Sequence, residues 1–433
     1  MATPKPRTQG TDISATAHVH LWGQLAGQVS EFSNGRIGFT YDKKYLANGR
    51  ALSPKHLPLE SGIFEFPQLR NTETFHGLPG VLADSLPDTF GNKIIQNYFE
   101  TRGERDKALS PVQRLLYIGK RAMGALEYTP ALQRKTKEEE LALEVQALVE
   151  SARRLIEGNA NDAVQEIMRV GGSAGGARAK ALILWDRELK RVRSGFATPQ
   201  ADEESWLIKF DGVGSANALD MQAKPYNRIE YVYALLAKQV GVEMSEVSYL
   251  EDNGLFHFMT KRFDRVGSNK AHMHSLGGMT HTDFNIPQAF SYEAWFRLMM
   301  ELKLGHQSLE QGFRRMVFNI VGRNQDDHVK NISFLLDYMT GDWRLAPAYD
   351  LTFAAGSGYT ARHQMTLGGR SDGFTRELLI ETGEKFSIKH PSKVVDEVVD
   401  AFAGWGGLAT KYGVTTEQIV EVGKKHRLQL NNK

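Results

Sequence analysis

Apolar and polar residues alternate near the start of the chain in the manner of a β-sheet. Segments 18–31 and 36–46 both carry alternating apolar or aromatic positions, and Asn34 and Gly35 lie between them. An Asn-Gly pair favours the positive φ angles of a tight hairpin turn. The pattern therefore predicts a β-hairpin that opens a small sheet.

The apolar spacing then changes to that of helices. Pro87 and Asp88 precede four apolar positions at helical spacing, and residues 109–128 predict a helix that runs into a strand. Within 134–158 the apolar residues again step by three and four positions between charged ones, and Gly158 follows as a stop signal. This segment predicts an amphipathic helix that joins two units.

The remaining pattern predicts a second β-rich unit followed by a mainly helical one. Strands are expected at 181–185, 205–210 and 255–263, and a helix is expected at 227–240. From Ser291 onward helical spacing dominates. It is interrupted within 331–351, where a Thr-Gly-Asp turn joins two predicted strands.

Composition indicates a soluble globular protein and narrows its chemistry. The chain has 433 residues, of which 41% are hydrophobic and 24% charged, with a net charge of +2 and no cysteine. The absence of cysteine excludes disulfides, thiol nucleophiles and cysteine-ligated metal centres. At about 150 residues per domain, the length allows two or three units with a cleft between them.

No segment has the length and hydrophobicity of a membrane span or a signal peptide. The first sixteen residues are polar, and no later stretch approaches about 18 consecutive apolar residues. We therefore expect a cytoplasmic protein that does not bind a membrane. The net charge is too small for a protein that coats nucleic acid by electrostatics alone.

The densest group of reactive side chains lies at 324–331, after a predicted helix and before a predicted strand. Asp326 and Asn331 are five residues apart, and Asp350 follows the second strand of the predicted hairpin. These side chains supply the hard oxygen ligands that Mg²⁺ prefers. The spacing is typical of a protein-kinase catalytic loop, in which an Asp receives the substrate hydroxyl proton and an Asn holds metal. The alternative is a polar turn in which Asp and Asn cap helix ends.

A glycine-rich segment precedes the first strand of the second unit. Its backbone N–H groups could surround a phosphate because no Cβ stands in the way, and Ser173 would place a hydroxyl nearby. It is not a Walker A loop, since Ala177 stands where that motif requires lysine. The alternative for Ser173 is a turn or cap residue. The glycines are Gly171, Gly172, Gly175 and Gly176.

Lys209 lies within an apolar predicted strand and needs a partner if it is buried. A nucleotide phosphate, or Glu230 on the following helix, would provide the counter-charge. If the strand lies at an edge of the sheet, Lys209 instead faces water. No histidine pair has a third ligand at matching spacing and no G-x-S-x-G elbow occurs, so neither a zinc site nor a serine hydrolase is predicted.

As a set, four segments resemble the HipA family, the kinase components of bacterial type II toxin–antitoxin pairs. They are 77–92 (GLPGVLADSLPDTFGN), 171–182 (GGSAGGARAKAL), 324–335 (NQDDHVKNISFL) and 345–351 (LAPAYDL). The resemblance covers nearly the whole chain, and the four segments occur in the family order. It implies an α+β, two-lobed protein-kinase-like fold, mostly helical, with an additional β-containing N-terminal subdomain.

The resemblance also implies roles for individual residues. Asp326 resembles the catalytic Asp, Asn331 and Asp350 the Mg²⁺ ligands, and Lys209 the lysine that contacts the phosphates of ATP. Ser173 matches a serine that family members autophosphorylate, a change that places negative charge where those phosphates bind. The remaining implied site residues are His328 and Lys330 of the catalytic loop and, in the nucleotide site, the four glycines, Glu230 and Phe263.

The resemblance also implies a division of the chain into domains and a set of binding partners. The chain would consist of a flexible tail (1–16), an N-terminal unit (17–133), a small lobe with the phosphate loop (134–265) and a helical large lobe with the catalytic loop (266–433). The implied partners are a HipB-like DNA-binding antitoxin, operator DNA through that antitoxin, and a protein substrate such as an aminoacyl-tRNA synthetase.

Two other functions remain open from the residues alone. A metal-dependent phosphoesterase or nuclease would use Asp326, His328 and Asp350 directly on a water molecule and would not need Lys209 or Ser173. A catalytically silent protein would only hold an antitoxin on DNA.

Overall fold

The structure, a computed structural model, describes residues 12–100, 109–132, 142–157, 178–213 and 226–430. Within these ranges the chain forms several separate sheets, mostly antiparallel, and a larger helical part. This arrangement confirms the predicted α+β class.

The N-terminal unit is built on an antiparallel five-stranded sheet with the spatial order β4-β3-β2-β1-β5. The strands are β1 Ile13–Leu21, β2 Gln24–Phe32, β3 Ile37–Tyr41, β4 Phe64–Glu65 and β5 Leu126–Thr129. As predicted, Asn34 and Gly35 lie in the turn that joins β2 and β3. The strand β1 begins at Ile13, inside the segment 1–16 that was expected to be a tail. Within it, Thr16 pairs with Ser30 across the sheet.

A second turn in this sheet was missed by the sequence analysis. Trp22 and Gly23 both have positive φ and divide the segment 18–31 into β1 and β2. Tryptophan seldom takes up this conformation, so the sequence carried no turn signal there. The sheet therefore opens with two successive hairpins instead of one.

One helix of the N-terminal unit connects two hydrophobic cores. Ile95 and Phe99 pack in the core of the N-terminal sheet, whereas Phe90 and Ile94 pack in the core of the small lobe. Helix α3 thus joins the N-terminal unit to the small lobe. The helices of this unit are α1 Lys43–Asn48, α2 Gly80–Ala83, α3 Thr89–Glu100 and α4 Pro111–Ile118.

The small lobe contains an antiparallel six-stranded sheet with the spatial order β10-β11-β9-β7-β8-β6. Its strands are β6 Ala142–Leu143, β7 Lys180–Asp186, β8 Arg191–Ser194, β9 Glu203–Lys209, β10 Val247–Asp252 and β11 Leu255–Lys261. Side chains alternate between the two faces. Ile183 and Ile208 lie on the face that packs in the lobe's core, while Lys180 and Lys209 lie on the other.

The helix predicted over 134–158 is shorter in the structure. Helix α5 spans Val145–Glu157, and the two residues before Glu144 form β6, which pairs with β8. Pairing with an available sheet edge outweighs the helical pattern at this end, as tertiary contacts often do.

The large lobe is mainly helical and has its own core. Its helices are α6 Tyr226–Gln239, α7 Leu276–Thr280, α8 Tyr292–Glu301, α9 His306–Val321, α10 Arg376–Lys385, α11 Pro391–Ala403, α12 Trp405–Lys411 and α13 Thr416–Gly423. None of the helices in the described ranges combines the length and apolar character needed to cross a membrane. The remaining strands are β12 Arg265–Val266, β13 Asn269–Lys270, β14 His272–Ser275, β15 Phe290–Ser291, β16 Ser333–Leu336, β17 Trp343–Leu345 and β18 Met365–Thr366.

Helix α6 packs with the large lobe although the expected boundary at 265 would place it in the small lobe. Ile229, Val232, Tyr233 and Leu236 lie in the large-lobe core, beside residues of α9 and α11. A helical period alone does not show which neighbour the apolar face meets. Glu230, on the same helix, is therefore anchored to the large lobe.

The N-terminal unit also contacts the large lobe closely. Gly80 of α2 and Gly278 of α7 lie so near each other that a Cβ on Gly80 would collide with the carbonyl oxygen of Gly278. Next to this contact, Asp84 accepts hydrogen bonds from the backbone N and the hydroxyl of Ser275, at 2.8 and 2.5 Å. The motif at 77–92 thus fixes the N-terminal unit to the lobe that carries the loop at 324–331.

Candidate active site

Lys209 is the buried cation at the centre of the candidate site. The strand β9 lies between β11 and β7, which excludes the edge-strand alternative, and the Lys209 side chain is 10% exposed. Its Nζ donates a 2.6 Å hydrogen bond to Oε1 of Glu230 and a second hydrogen bond to Oδ1 of Asp350. Burial lowers the pKa of Lys209, but the charges of Asp350 and Glu230 outweigh it and hold the pKa above the usual value.

Asn227 fixes the end of β9 against helix α6. Its Nδ2 donates to the backbone oxygens of Lys209 at 2.9 Å and of Phe256 at 3.2 Å. The sequence analysis missed this residue. The available signal was its position three residues before Glu230, which places both on one face of a helix.

The hairpin of β16 and β17 brings Asn331 and Asp350 to the same end of the large-lobe sheet. Asn331 lies just before the first strand and Asp350 follows the second. Beyond the hairpin, the backbone N of Gln325 donates to the oxygen of Ala354 at 3.0 Å, and the N of Ala354 donates to the oxygen of Arg323 at 3.1 Å. These bonds hold the two loops together.

Asp350 occupies a backbone conformation that is uncommon for a residue with a side chain. Its φ is +53°, in the left-handed region, where Asp and Asn are among the more tolerant residues. Burial raises the pKa of Asp350, but the charge and hydrogen bond of Lys209, together with the charges of Lys180 and His328, outweigh this effect and lower the pKa. Asp350 is therefore held as a carboxylate.

Asp326 presents its carboxylate to the cleft, with 44% of the side chain exposed. Asn331 donates from Nδ2 to the backbone oxygen of Asp326 at 2.9 Å, and Nε2 of His328 lies 3.6 Å from its Oδ1. The loops around the carboxyl group displace part of its water and raise the pKa of Asp326, and the charge of Asp350 adds to the rise. A raised pKa suits a group that receives a proton.

The next residue, Asp327, is buried and has a structural role. Its carboxylate accepts hydrogen bonds from the hydroxyl of Tyr292 at 2.5 Å and the backbone N of Gln364 at 2.7 Å, and it contacts Nδ1 of His363 at 2.8 Å. Burial raises the pKa of Asp327, but His363 and the hydrogen bonds outweigh it and lower the pKa. Of the two adjacent aspartates, only Asp326 is open to the cleft.

His328 and Lys330 hold the loop at 324–331 against Phe284. The rings of His328 and Phe284 are 5.0 Å apart between centroids, and Nζ of Lys330 lies 5.2 Å from the same phenyl ring. The backbone oxygen of Lys330 accepts a 2.8 Å hydrogen bond from the hydroxyl of Tyr349. These contacts fix the shape of the loop between Asp326 and Asn331.

Phe263 lies just beyond β11, half-buried, with its ring centroid 5.8 Å from that of Tyr349. Lys261, two residues earlier, forms ion pairs with Glu204 and Glu246. A small cavity beside the ion pair of Lys209 and Glu230 is lined by residues of both lobes, including Glu230, Phe258, Thr260, Tyr349 and Leu351.

The predicted phosphate loop lies outside the described residues, so the structure does not place Gly171, Gly172, Ser173, Gly175 or Gly176. The described chain resumes at Arg178. Its guanidinium lies 4.3 Å from the ring centroid of Tyr226, and one of its nitrogens lies 3.9 Å from Oε2 of Glu230. Arg178 is thus a further cation beside the site, which the sequence analysis did not single out.

Two family models match the chain across these segments. The HipA N-terminal domain matches residues 17–129, and the HipA-like C-terminal domain matches residues 172–405, which is more than half of the chain and includes the candidate site. The chain belongs to the HipA family. The family predicted from the sequence is thereby confirmed.

Solved structures agree with the fold of a HipA protein. The chain is similar to a chain of the Shewanella oneidensis MR-1 toxin–antitoxin complex of HipA, HipB and operator DNA, with a TM-score of 0.65 and 15% identity over 96% of this chain and 95% of that one. At this identity the likeness shows a shared fold. A likeness to the Helicobacter pylori proinflammatory kinase CtkA has a TM-score of 0.33 and 10% identity over 52% of this chain and 89% of that one, too loose to carry an argument.

Proposed function

We propose that this HipA-family protein is an ATP- and Mg²⁺-dependent serine/threonine protein kinase that acts as the toxin of a toxin–antitoxin pair. The observation that carries the proposal is the buried Lys209, bonded to Glu230 and Asp350 in the cleft that also contains Asp326. A buried ion pair contributes little to stability compared with apolar packing. Its presence in the cleft is better explained by a cation that binds phosphate.

The oxygen atoms of Asn331 and Asp350 fit a Mg²⁺ ion that is shared with phosphates. Asp350 accepts from Lys209 through Oδ1, and no donor among the described residues meets its Oδ2. Asn331 donates through Nδ2, which leaves its Oδ1 available. Mg²⁺ is usually held by one or two side-chain oxygens together with water and substrate phosphates. When bound, it would neutralise charge on the transferring phosphate.

Asp326 would orient the substrate hydroxyl and receive its proton. In the transfer, the hydroxyl oxygen forms a bond to the γ-phosphorus of ATP, and the bond from that phosphorus to the β–γ bridging oxygen breaks, which releases ADP. Lys209 holds the phosphates and Glu230 holds Lys209. Catalysis then consists mainly of positioning and charge neutralisation.

The phosphoesterase or nuclease alternative has less support. Within the described ranges, no group of three or more His, Cys, Asp or Glu side chains is placed to hold a metal ion. A metal-activated water would normally require such a set. That alternative also leaves the Lys209 and Glu230 pair without a purpose.

The autophosphorylation site and the partners are proposed from the resemblance. Ser173 would be the acceptor, and its phosphate would occupy the place of the ATP phosphates and inhibit the enzyme. A HipB-like antitoxin would bind the chain and link it to operator DNA. The protein substrate would be translation-related, such as an aminoacyl-tRNA synthetase. Antitoxin binding is testable by co-expression and co-purification, and substrates by comparing cellular phosphoproteins with the Asp326→Ala variant.

The proposed activity is tested by incubating the purified chain with radiolabelled ATP and Mg²⁺ and mapping the label. We expect phosphate on Ser173, absent in Asp326→Ala and retained in Asp202→Asn, an exposed control. A chain that binds antitoxin but transfers no phosphate would be a silent scaffold. Release of inorganic phosphate that persists in Lys209→Met would instead support a phosphoesterase.

A further inference from the structure

A buried hydrogen-bonded network begins one residue after Asp326 and consists of Asp327, His363 and Arg427. The ring of His363 is fully buried, and its Nδ1 lies 2.8 Å from Oδ2 of Asp327. On the other side of the ring, Nε2 lies 2.9 Å from Nη1 of Arg427, which is also buried. The network therefore runs from the loop at 324–331 to the segment that follows helix α13.

The two partners of the His363 ring decide where its proton lies. A guanidinium carries donors and no acceptor, so Arg427 donates to Nε2. The ring proton therefore lies on Nδ1, which donates to the Asp327 carboxylate. His363 is thus fixed as one tautomer, and the direction of its ring is set from both sides.

Arg427 is itself held in place by the large lobe. Its backbone N donates to the oxygen of Val321 at 3.0 Å, and its Nη1 also donates to the oxygen of Ile320 at 2.7 Å. Its Nη2 donates to Oδ1 of Asp372. Val321 and Ile320 end helix α9, which directly precedes the loop that contains Asp326. Arg427 is therefore tied to the end of that helix.

Asp327 is the point at which the network reaches the proposed reacting group. Asp326 and Asp327 share a peptide unit, so an anchored Asp327 fixes the direction in which the Asp326 side chain leaves the backbone. From the other side, Asn331 donates to the backbone oxygen of Asp326 at 2.9 Å. Such support matters because a displacement of about 1 Å can slow a reaction about 100-fold.

We propose that His363 is a positioning residue for phosphoryl transfer, which holds Asp327 and thereby aims the Asp326 carboxylate into the cleft. Arg427 acts through His363, so the segment after helix α13 completes the candidate active site. The inference rests on the proposed function and extends it to residues outside the four segments that carry the family resemblance. Because the His363 ring is fully buried, it acts on the reaction only through Asp327.

A purely structural role is the competing explanation for this network. Both roles predict lower stability when a member is removed, since a buried polar group then loses its partner. They differ in the chemical step. A positioning role predicts slower transfer at saturating ATP with unchanged ATP affinity, because Lys209 and Glu230 lie in another part of the cleft. A structural role predicts a normal rate in the folded protein.

The test measures two quantities on the full chain: the first-order rate of autophosphorylation at saturating ATP and Mg²⁺, and the calorimetric affinity for a non-hydrolysable ATP analogue. His363→Asn and His363→Gln form a matched pair. The amide nitrogen of asparagine stands near the position of Nδ1 and can still donate to Asp327, whereas the amide of glutamine reaches the position of Nε2. We expect His363→Gln to lower the rate at least about tenfold and His363→Asn to stay within about threefold of the wild type. Analogue affinity should be unchanged in both.

Arg427→Met tests the far end of the network. We expect a smaller loss of rate than in His363→Gln, and no additional loss when both changes are combined, because Arg427 acts through His363. The change leaves Asp372 with 41% of its side chain exposed to water, so it strands no buried charge there. The controls His306→Gln and Arg344→Met, at exposed positions, should match the wild type.

Three results would overturn the inference: equal rates in His363→Asn and His363→Gln, a loss of analogue affinity as large as the loss of rate, or additive effects of the two sites. If His363→Gln fails to fold, an unchanged rate in Arg427→Met overturns it. If the wild-type chain transfers phosphate and the folded variants transfer it equally fast, only the positioning role is refuted. If the wild-type chain transfers no phosphate, the proposed function fails and this inference fails with it.

Discussion

Lys209 and Glu230 are joined by a 2.6 Å hydrogen bond that connects the small-lobe sheet to the large-lobe core. Lys209 ends β9, whereas Glu230 lies on helix α6, whose Ile229 and Val232 pack among large-lobe residues. The bond therefore crosses the cleft. It fixes the position of the Lys209 amine relative to the loops that carry Asp326 and Asp350.

Replacing Lys209 by methionine should impair both stability and nucleotide binding. The change removes the nearest counter-charge of the buried Glu230 carboxylate and leaves only Arg178, at 3.9 Å, among the described residues. Loss of one partner of a buried ion pair typically costs about 3 kcal/mol of unfolding free energy. We expect a lower urea midpoint and the loss of detectable ATP binding. Lys238→Met, at an exposed position of helix α6, is the control. A Lys209→Met variant that binds ATP normally would remove the lysine from the site.

Replacement by asparagine should mainly reduce activity at Asp326 and mainly reduce stability at Asp327. Asp326→Asn removes a cleft carboxylate that makes few structural contacts, so we expect phosphoryl transfer to fall at least about 100-fold with little change in stability. Asp327→Asn disturbs a buried group bonded to Tyr292 and Gln364, so we expect a loss of about 1–3 kcal/mol in unfolding free energy. Parallel activity assays and urea denaturation of both variants check this. The reverse pattern would mean that Asp327 is the reacting group.

Asn331 and Asp350 should control the dependence on Mg²⁺. Asn331→Ala removes a proposed oxygen ligand but leaves Lys209 paired, so we expect a higher Mg²⁺ concentration for half-maximal activity. Asp350→Ala, if folded, should lose the Mg²⁺-dependent part of ATP binding. Calorimetric ATP titrations with and without Mg²⁺ measure both effects. An unchanged Mg²⁺ dependence in Asp350→Ala would exclude that residue as a ligand.

The close contact between Gly80 and Gly278 should tolerate no added methyl group. Gly80→Ala forces a collision with the backbone of Gly278, and overpacking of this kind costs about 1–3 kcal/mol. Gly407→Ala is the matched control, because a Cβ there meets nothing within 4 Å and the residue lies in helix α12. We expect the control to be neutral or slightly stabilising. Equal melting temperatures for the two variants would contradict the contact.

His272 should make the protein less stable as the pH falls. It is fully buried and donates from Nε2 to the backbone oxygen of Leu52, with His274 and Asp84 nearby. Burial lowers the pKa of His272 to about 4, below the value of about 6.5 in an unfolded chain. Between these values the unfolded state binds more protons, so unfolding free energy decreases by up to about 1.4 kcal/mol per pH unit as the pH falls.

Urea denaturation at pH 7.5, 6.5 and 5.5 measures this dependence. The slope for His272→Gln should be smaller than for the wild type, while His18→Gln, at an exposed position, should leave it unchanged. Identical slopes for all three proteins would show that His272 does not stay neutral in the fold.

Local sequence patterns predicted much of the fold. Nearby residues decide three of its elements: the Asn34-Gly35 turn, the helix at Thr89–Glu100 and the strand that carries Lys209. The need for a counter-charge at Lys209 also pointed to Glu230. The pairing of His363 with Asp327 and the packing of α6 on the large lobe were not predictable, because they depend on how distant elements meet. The positive φ of Trp22 was not predictable either, because tryptophan seldom takes up this conformation.

The most direct test of the central claim is labelling with an acyl-phosphate derivative of ATP, which acylates lysine amines close to the bound phosphates. The account predicts that mass spectrometry of the labelled full chain finds modification at Lys209, and that excess ATP with Mg²⁺ prevents it. Labelling confined to exposed lysines, or modification of Lys209 that ATP does not reduce, would contradict the placement of the nucleotide in this cleft.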